Sequence, residues 1–256
     1  MFITCDIGNT NVTIGVMNDC NVVRSFKLET GLLKHRKNSI SLISEKLRDF
    51  FPLKEEVQAV YVSSVVPSLN ANMRSILNGI FRVKSVVIGE DAHVPIINRY
   101  RIPSHVGQDR LVNAYAGMKL YGKGLIIVDF GTAITFDIVS RKGEYVGGLI
   151  APGLKLMQES LHKKTALLPY VELSRPMEIV GQDTVSSIRS GIVYGVASLC
   201  EGIIERLLAK DCKGYKVIAT GGDACLIKPY APRLNIVEEF LIFKGLYFIY
   251  KSQLKR

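Results

Sequence analysis

Apolar and polar positions alternate from the first residues of this chain. The runs at 1–8, 11–17 and 21–28 read as three successive strands. Residues 36–51 carry Ile40, Ile43, Leu47 and Phe50 at helical spacing. A Val- and Tyr-rich strand is predicted over 57–66, ending at Pro67, with a short helix over 69–80 and a strand over 84–89. Residues 90–106 hold Pro95 and Pro103 and little periodicity, so a long loop is expected, and long loops in compact domains tend to be functional. A helix follows from about 107 to 121. The scheme then repeats, with strands at 124–130, 134–140 and 144–150, helices at 153–162 and 181–210, a strand at 215–221 and a last helix over 236–251. This order predicts an α/β fold with a duplicated unit: one domain over 1–120, a second over 121–256.

The duplication is sharpest at two hairpins. Asp6-Ile7-Gly8-Asn9-Thr10 follows the apolar run Met1-Phe2-Ile3 and continues into Asn11-Val12-Thr13. Asp129-Phe130-Gly131-Thr132-Ala133 follows Leu125-Ile126-Ile127-Val128 and continues into Ile134-Thr135. Each reads as strand, tight Gly turn, strand, with a carboxylate at the mouth of the turn. Gly lets the backbone fold sharply, so that amides and Thr or Asn side chains can converge on one anion. The neighbouring Asp can hold a hard cation such as Mg2+, directly or through water. A single Asp-x-Gly is ordinary turn chemistry; two copies with Thr or Asn beside the Gly point to a phosphate clamp.

Three further segments could meet a ligand. Gly107-Gln108-Asp109-Arg110 opens a helix, where Asp109 could take a hydroxyl proton and Arg110 could pair with a carboxylate. A plain helix-dipole role for Asp109 is the competing reading. Gly147-Gly148 through Pro152-Gly153 lies at a strand-to-helix junction, and Thr220-Gly221-Gly222-Asp223 follows an apolar strand. Gly117 to Lys123 fits G-x-x-x-x-G-K, but Gly124 stands where a phosphate loop needs Ser or Thr, and a helix precedes it where a strand should.

Composition narrows the classes. At 256 residues and 48% hydrophobic, the chain is expected to be globular. No apolar run reaches a membrane span and no signal-like start precedes the first strand, which predicts a soluble cytoplasmic protein with no membrane partner. The net charge of +10 suits anionic substrates; the basic residues are scattered, without the aromatic interleaving of a nucleic-acid surface. Cys5, Cys20, Cys200, Cys212 and Cys225 show no metal spacing and are expected to be buried free thiols, and His35, His93, His105 and His162 show none either.

Taken in order, these segments resemble those of type III pantothenate kinases, members of the acetate kinase, sugar kinase, Hsp70 and actin superfamily. Asp6-Ile7-Gly8-Asn9-Thr10 is similar to the family's first phosphate motif, and Asp129-Phe130-Gly131-Thr132-Ala133 to its second. Tyr100 before Pro103, with Gly107-Gln108-Asp109-Arg110, resembles the pantothenate motif; Gly147 to Gly153, Thr165-Ala166-Leu167-Leu168-Pro169 and Gly181-Gln182-Asp183-Thr184 complete the order. The resemblance implies two ribonuclease H-like domains with a cleft between them, and ATP-dependent phosphorylation of pantothenate to 4'-phosphopantothenate. It implies Asp109 as general base, and Tyr100, Gly107, Gln108, Asp109, Arg110 and Thr184 around pantothenate. Asp6, Ile7, Gly8, Asn9, Thr10, Asn11, Val12, Thr13 and Thr132 would surround ATP, with Asp6 serving Mg2+ and Asp129 a monovalent cation, K+ or NH4+. It implies a homodimer. Arg101-Ile102, where many relatives have Asp-Asn, and Lys164, where Arg is usual, depart from the pattern in fine contacts. The alternatives are another small-acid kinase of the superfamily, a phosphatase using the same clamp, or a non-enzymatic accessory factor in gene regulation.

Overall fold

The computed structural model describes residues 1–34, 36–50 and 56–254. In chain order, β1 (Phe2–Ile7), β2 (Asn11–Asn18) and β3 (Asn21–Glu29) precede α1 (Arg36–Phe50), β4 (Ala59–Ser64), α2 (Pro67–Phe81) and β5 (Ser85–Val87). A two-residue β6 (Ile97–Asn98) leads to α3 (Gln108–Tyr121), β7 (Leu125–Phe130), β8 (Ala133–Val139) and β9 (Glu144–Pro152). Then come α4 (Leu154–Lys164), α5 (Thr184–Ala209), β10 (Lys216–Thr220), a single turn α6 (Ala224–Ile227), β11 (Ile236–Val237) and α7 (Leu241–Gln253).

The chain forms two compact units. The first takes the described residues of Met1–Ile96 and Arg101–Lys119 and the chain from Phe240 on; the second takes Ile97–Tyr100 and Leu120–Glu239. A single cut at 120 would leave the last helix with the second unit, whereas its packing groups it with the first.

Both units have one sheet order. The first runs β3-β2-β1-β4-β5, and the second runs β9-β8-β7-β10-β11 with β6 added beside β9. In each, the first three strands pair antiparallel, and the central strand then pairs parallel with the next (β1 with β4, β7 with β10). The duplication read from the motifs is therefore a duplication of topology.

Alternation decides what covers each face. In β1, Ile3, Cys5 and Ile7 point into a core shared with Ile14, Val60, Val62 and the α2 residues Leu69, Met73 and Leu77. Phe2, Thr4 and Asp6 take the opposite face. There Phe2 stacks on Tyr250 of α7 with centroids 5.1 Å apart and meets Tyr61 at 5.5 Å. Gly15 of β2 admits α7 to that face: a Cβ at this position would lie 2.5 Å from the Phe243 ring and 2.7 Å from Thr4 Oγ1. In the second unit, Ile126, Val128, Phe130, Ile134 and Phe136 pack against the buried α5 stripe Ile188, Ile192, Val196 and Cys200. The four-residue spacing of that stripe is one helix face.

Several expectations shift. The last helix starts at Leu241, because Ile236–Val237 pairs with β10 as an edge strand and Glu238 N–H donates to the Ala219 carbonyl at 2.8 Å. The helix expected from 181 starts at Thr184, because Asp183 caps it by accepting from Ser186 N–H at 2.9 Å. The loop over 90–106 contains β6 and a 3-10 turn at Pro103–His105. In α1, Ile43 is buried but Ile40 is exposed; Phe51, the last residue of the helix expected over 36–51, and His35 lie outside the described residues. The Gly117–Lys123 segment is a helix end followed by a strand, with Gly122 and Gly124 at positive φ, as a helix C-terminal turn requires. Of the cysteines, Cys5, Cys200 and Cys212 are buried, and burial pushes the Cys200 thiol up to about 12; Cys225 is exposed and Cys20 half-buried.

Gly15→Ala should cost about 1–3 kcal/mol, because the new methyl has no space beside Phe243. Gly195→Ala, in α5 with open space around it, should instead stabilise by roughly 0.5–1 kcal/mol. Urea melts of the two variants check the contrast; equal shifts would contradict the close approach of α7.

Candidate active site

In the first unit the turn Gly8–Thr10 joins β1 to β2, closed by Gly8 N–H donating to the Asn11 carbonyl at 2.9 Å. Thr30 braces it from the end of β3: its hydroxyl donates to the Gly8 carbonyl at 2.7 Å, and its amide to the Thr10 carbonyl at 3.0 Å. Nothing in the sequence marked Thr30, because its role depends on the β2–β3 register. Asn9 and Asn11 are exposed and Asp6, Thr10 and Thr13 half-buried, with Thr13 opposite Asp6 across the hairpin. Ile7 and Val12 send their side chains into the core, so only their backbone can face a ligand.

The segment Gly107 to Arg110 comes to the same strand end. Val65 N–H donates to the Ile7 carbonyl at 3.0 Å, and a Cβ on Gly107 would lie 3.8 Å from Val65 Cγ1. That Cβ would also lie 2.4 Å from Asp109 Oδ1, so Gly107 leaves the space its carboxylate occupies. Gln108 packs beneath Gly89, which takes φ +91°. Asp109 sits in the first turn of α3, and its Oδ1 accepts from the Arg110 amide at 2.8 Å. Burial pushes its carboxyl above the ordinary value of 3.8, and the Arg110 amide and charge only partly restrain the rise. Arg110 itself is buried. A carboxylate raised by desolvation beside an Arg suits proton transfer better than surface solvation.

The second unit carries the matching carboxylate at the matching place. Asp129 is half-buried near the end of β7, opposite Thr220 of β10. Gly221, at φ +90°, passes so close that a Cβ there would lie 2.4 Å from Asp129 Oδ1 and 2.5 Å from the Phe130 carbonyl oxygen. Gly153 is as constrained, since its Cβ would fall 2.4 Å from the carbonyls of both Gly131 and Thr132. The segments Gly131–Thr132, Gly153 and Gly221 thus meet around one strand end, with Thr132 exposed.

Tyr100 also lies in the second unit, its amide donating to Asn98 Oδ1 at 2.9 Å, beside a buried network. Asp137, fully buried in β8, accepts from the Tyr145 hydroxyl at 2.8 Å and the Thr135 hydroxyl at 2.9 Å. Tyr145 in turn accepts Arg99 N–H at its carbonyl, 2.8 Å away, and faces the Tyr100 ring at 6.5 Å between centroids. Gly147, at φ +136°, leaves room beside that ring. The alternation in 134–140 predicted a strand but could not show an acid on its inner face. Thr184 is exposed at the start of α5, on a pocket of ≈ 1040 Å³ lined by Leu156, Met157, Leu161, Gln182 and Ile188. Among the described residues no three His, Cys, Asp or Glu side chains gather as a metal cluster, and no helix is long and apolar enough to cross a membrane.

Comparison with known proteins identifies the family. The family profile described as type III pantothenate kinase matches residues 2–206. A type III pantothenate kinase of Geobacter sulfurreducens is 39% identical over 251 residues, 98% of each chain. One from Citrifermentans bemidjiense is 38% identical over 255 residues, covering 98% of this chain and 99% of its own. Among solved structures, the activator of the 2-hydroxyisocaproyl-CoA dehydratase from Clostridium difficile with bound ADPNP superposes with a TM-score of 0.54 at 13% identity, over 100% of this chain and 97% of its own. That likeness shows a shared fold of two ribonuclease H-like domains. With a family profile over most of its length and relatives near two-fifths identity along all of it, the chain belongs to the type III pantothenate kinase family.

Proposed function

We propose that this protein transfers the γ-phosphoryl group of ATP to the 4'-hydroxyl of pantothenate, the first step of coenzyme A biosynthesis, in the cytoplasm. The observation that carries this reading beyond family membership is Asp109, a carboxylate raised by burial and held at a helix start by the next amide. Asp109 orients the attacking hydroxyl and takes its proton, a role worth about 10²- to 10⁴-fold. Gly107, Gln108, Arg110, Tyr100 and Thr184 hold pantothenate, with the Arg110 guanidinium meeting its carboxylate. The Gly8–Thr10 turn with Asn11 and Thr13, the backbone of Ile7 and Val12, and Thr132 hold the ATP phosphates.

The residues present fit the two cations. Asp6 offers one carboxylate next to the phosphate turn, which suits Mg2+ held by one protein ligand, phosphates and water. Asp129 Oδ1 and the Phe130 carbonyl oxygen both lie close beside Gly221, and carboxylate and carbonyl oxygens are donors that suit K+ or NH4+. When bound, these cations neutralise phosphate charge, and the protein supplies position and field.

Purified protein with ATP, Mg2+ and K+ should form 4'-phosphopantothenate, detected by mass spectrometry alongside coupled ADP release. Activity should be lost in Na+-only buffer and return with K+ or NH4+. ADP release with another small acid but not pantothenate would overturn the substrate, and DNA retardation without any turnover would favour an accessory role in gene regulation.

Asp109→Asn should lower kcat by at least about 10²-fold with nucleotide affinity nearly unchanged. The wild-type rate should fall as pH drops through the raised Asp109 value, since the base must be ionised. Stability carries the opposite sign. A raised folded value means that the contribution of Asp109 to stability is full below 3.8 and is lost as pH rises through the raised value. The variant should therefore gain on wild type in melting temperature between pH 4 and neutrality. A variant that keeps above about a tenth of the activity, or melts lower than wild type at neutral pH, argues for the helix-dipole role instead.

We also propose a homodimer. Leu149 and Ile150 of β9, Leu156 of α4, Val180 before α5 and Val185 within it are exposed, and Ile150 is 65% and Val180 72% accessible. A second copy burying these side chains accounts for them. Sedimentation should give a dimer, and Ile150→Glu with Val180→Asp should shift it toward monomer; an unchanged dimer would move the interface elsewhere.

A further inference from the structure

Ser63 belongs to none of the sequence motifs. It is fully buried next to the last residue of β4, and its Oγ meets no hydrogen-bond partner among the described residues. Such groups are rare in native proteins and need an explanation, because a buried hydroxyl without a partner is destabilising. Packing alone would be served better by alanine, which fills nearly the same space without the polar atom.

The strand register supplies the explanation. β4 runs parallel to β1 with Ser63 opposite Asp6. Paired residues on adjacent parallel strands project from the same face, at the strand spacing of about 4.8 Å. The hydroxyl and the half-buried carboxylate are therefore neighbours at the end of the central strand. The other hydroxyls on that face are placed differently: Thr4 Oγ1 donates to the Gly15 carbonyl at 3.2 Å, and Thr13 lies on the far side of Asp6. The second unit repeats the pair, with the buried Thr220 opposite Asp129 in the same parallel register. In both units a buried hydroxyl stands beside the acid near the end of the central strand.

We propose that Ser63 is a further positioning residue of the phosphate site: its hydroxyl hydrogen-bonds a water in the hydration shell of the divalent cation at Asp6, and so fixes the hydrated cation with the phosphates it carries. The proposal rests on the reading of Asp6 as the cation's protein ligand. Mg2+ gives up its waters reluctantly, so a hydroxyl one hydrogen bond beyond the metal orients the ion without stripping it. The arrangement matches the outer partners that orient metal ligands in other sites.

The test measures metal binding directly. Mn2+ is titrated by electron paramagnetic resonance into protein saturated with the non-hydrolysable analogue AMP-PNP, for wild type, Ser63→Ala and Asp6→Asn, with melting temperatures and metal-free AMP-PNP affinities measured alongside. Ser63→Ala should weaken Mn2+ binding about five- to tenfold, the scale of one hydrogen bond. It should leave metal-free nucleotide affinity unchanged and keep or raise the melting temperature, because an orphaned hydroxyl is removed. Unchanged Mn2+ binding in Ser63→Ala, with Asp6→Asn defective, overturns the role of Ser63 and leaves the reading of Asp6 standing. A lowered melting temperature in Ser63→Ala makes the hydroxyl structural and also overturns the proposal. Wild-type Mn2+ binding in Asp6→Asn removes Asp6 as ligand, and the proposal falls with it.

Discussion

A strand covered on both faces can carry an acid only where hydrogen bonds satisfy it, as they do Asp137, or at its end. β1 and β7 are such strands: each is central in its sheet, and their middle residues are buried whichever way they point. Asp6 and Asp129 stand half-buried at the next-to-last position of each, where a hairpin turns the chain back. Ligands of open α/β sheets bind outside the carboxyl ends of strands for this reason. The placement of the other site residues follows. The turn after each Asp, the parallel strand beside it and the loops that reach that end are what the chain presents there.

Close backbone approach fixes these ends in detail. Gly107, Gly153 and Gly221 sit where a single methyl would collide with a carboxylate or a carbonyl. Their role is exclusion: side chains kept away leave oxygen atoms lining the surface. The same crowding desolvates Asp109 and raises its affinity for a proton. The raised Asp109 carboxyl and the tight packing at Gly107 thus come from one cause, at a cost in stability.

Much of this was legible in the residues. Alternation locates the long strands and helices within a few residues, and the repeated Asp-x-Gly hairpins mark the duplication that the two sheet orders share. What escaped were features set by pairing between distant segments. Ile236–Val237 is too short to show a period and is a strand only because β10 offers an open edge. Thr30 and Ser63 look like ordinary polar residues until register sets them against Gly8 and Asp6. Asp137 reads as the outward residue of an alternating strand, yet its face is closed and Tyr145 satisfies it. Local pattern records which residues prefer burial; it does not record which polar atom finds a partner there.

The last helix has a bearing on the order in which the chain is completed during synthesis. Phe2, Gly15 and Tyr61 are made well before the aromatic residues that cover them, Phe243 and Tyr250. The second unit, by contrast, is closed once Glu239 has left the ribosome. The unit that holds β1 is therefore completed after the second unit, reversing the usual amino-to-carboxyl sequence of domain folding. Until then its β-sheet keeps one apolar face open, and the Gly8–Thr10 turn at the end of β1 lies on a half-built layer.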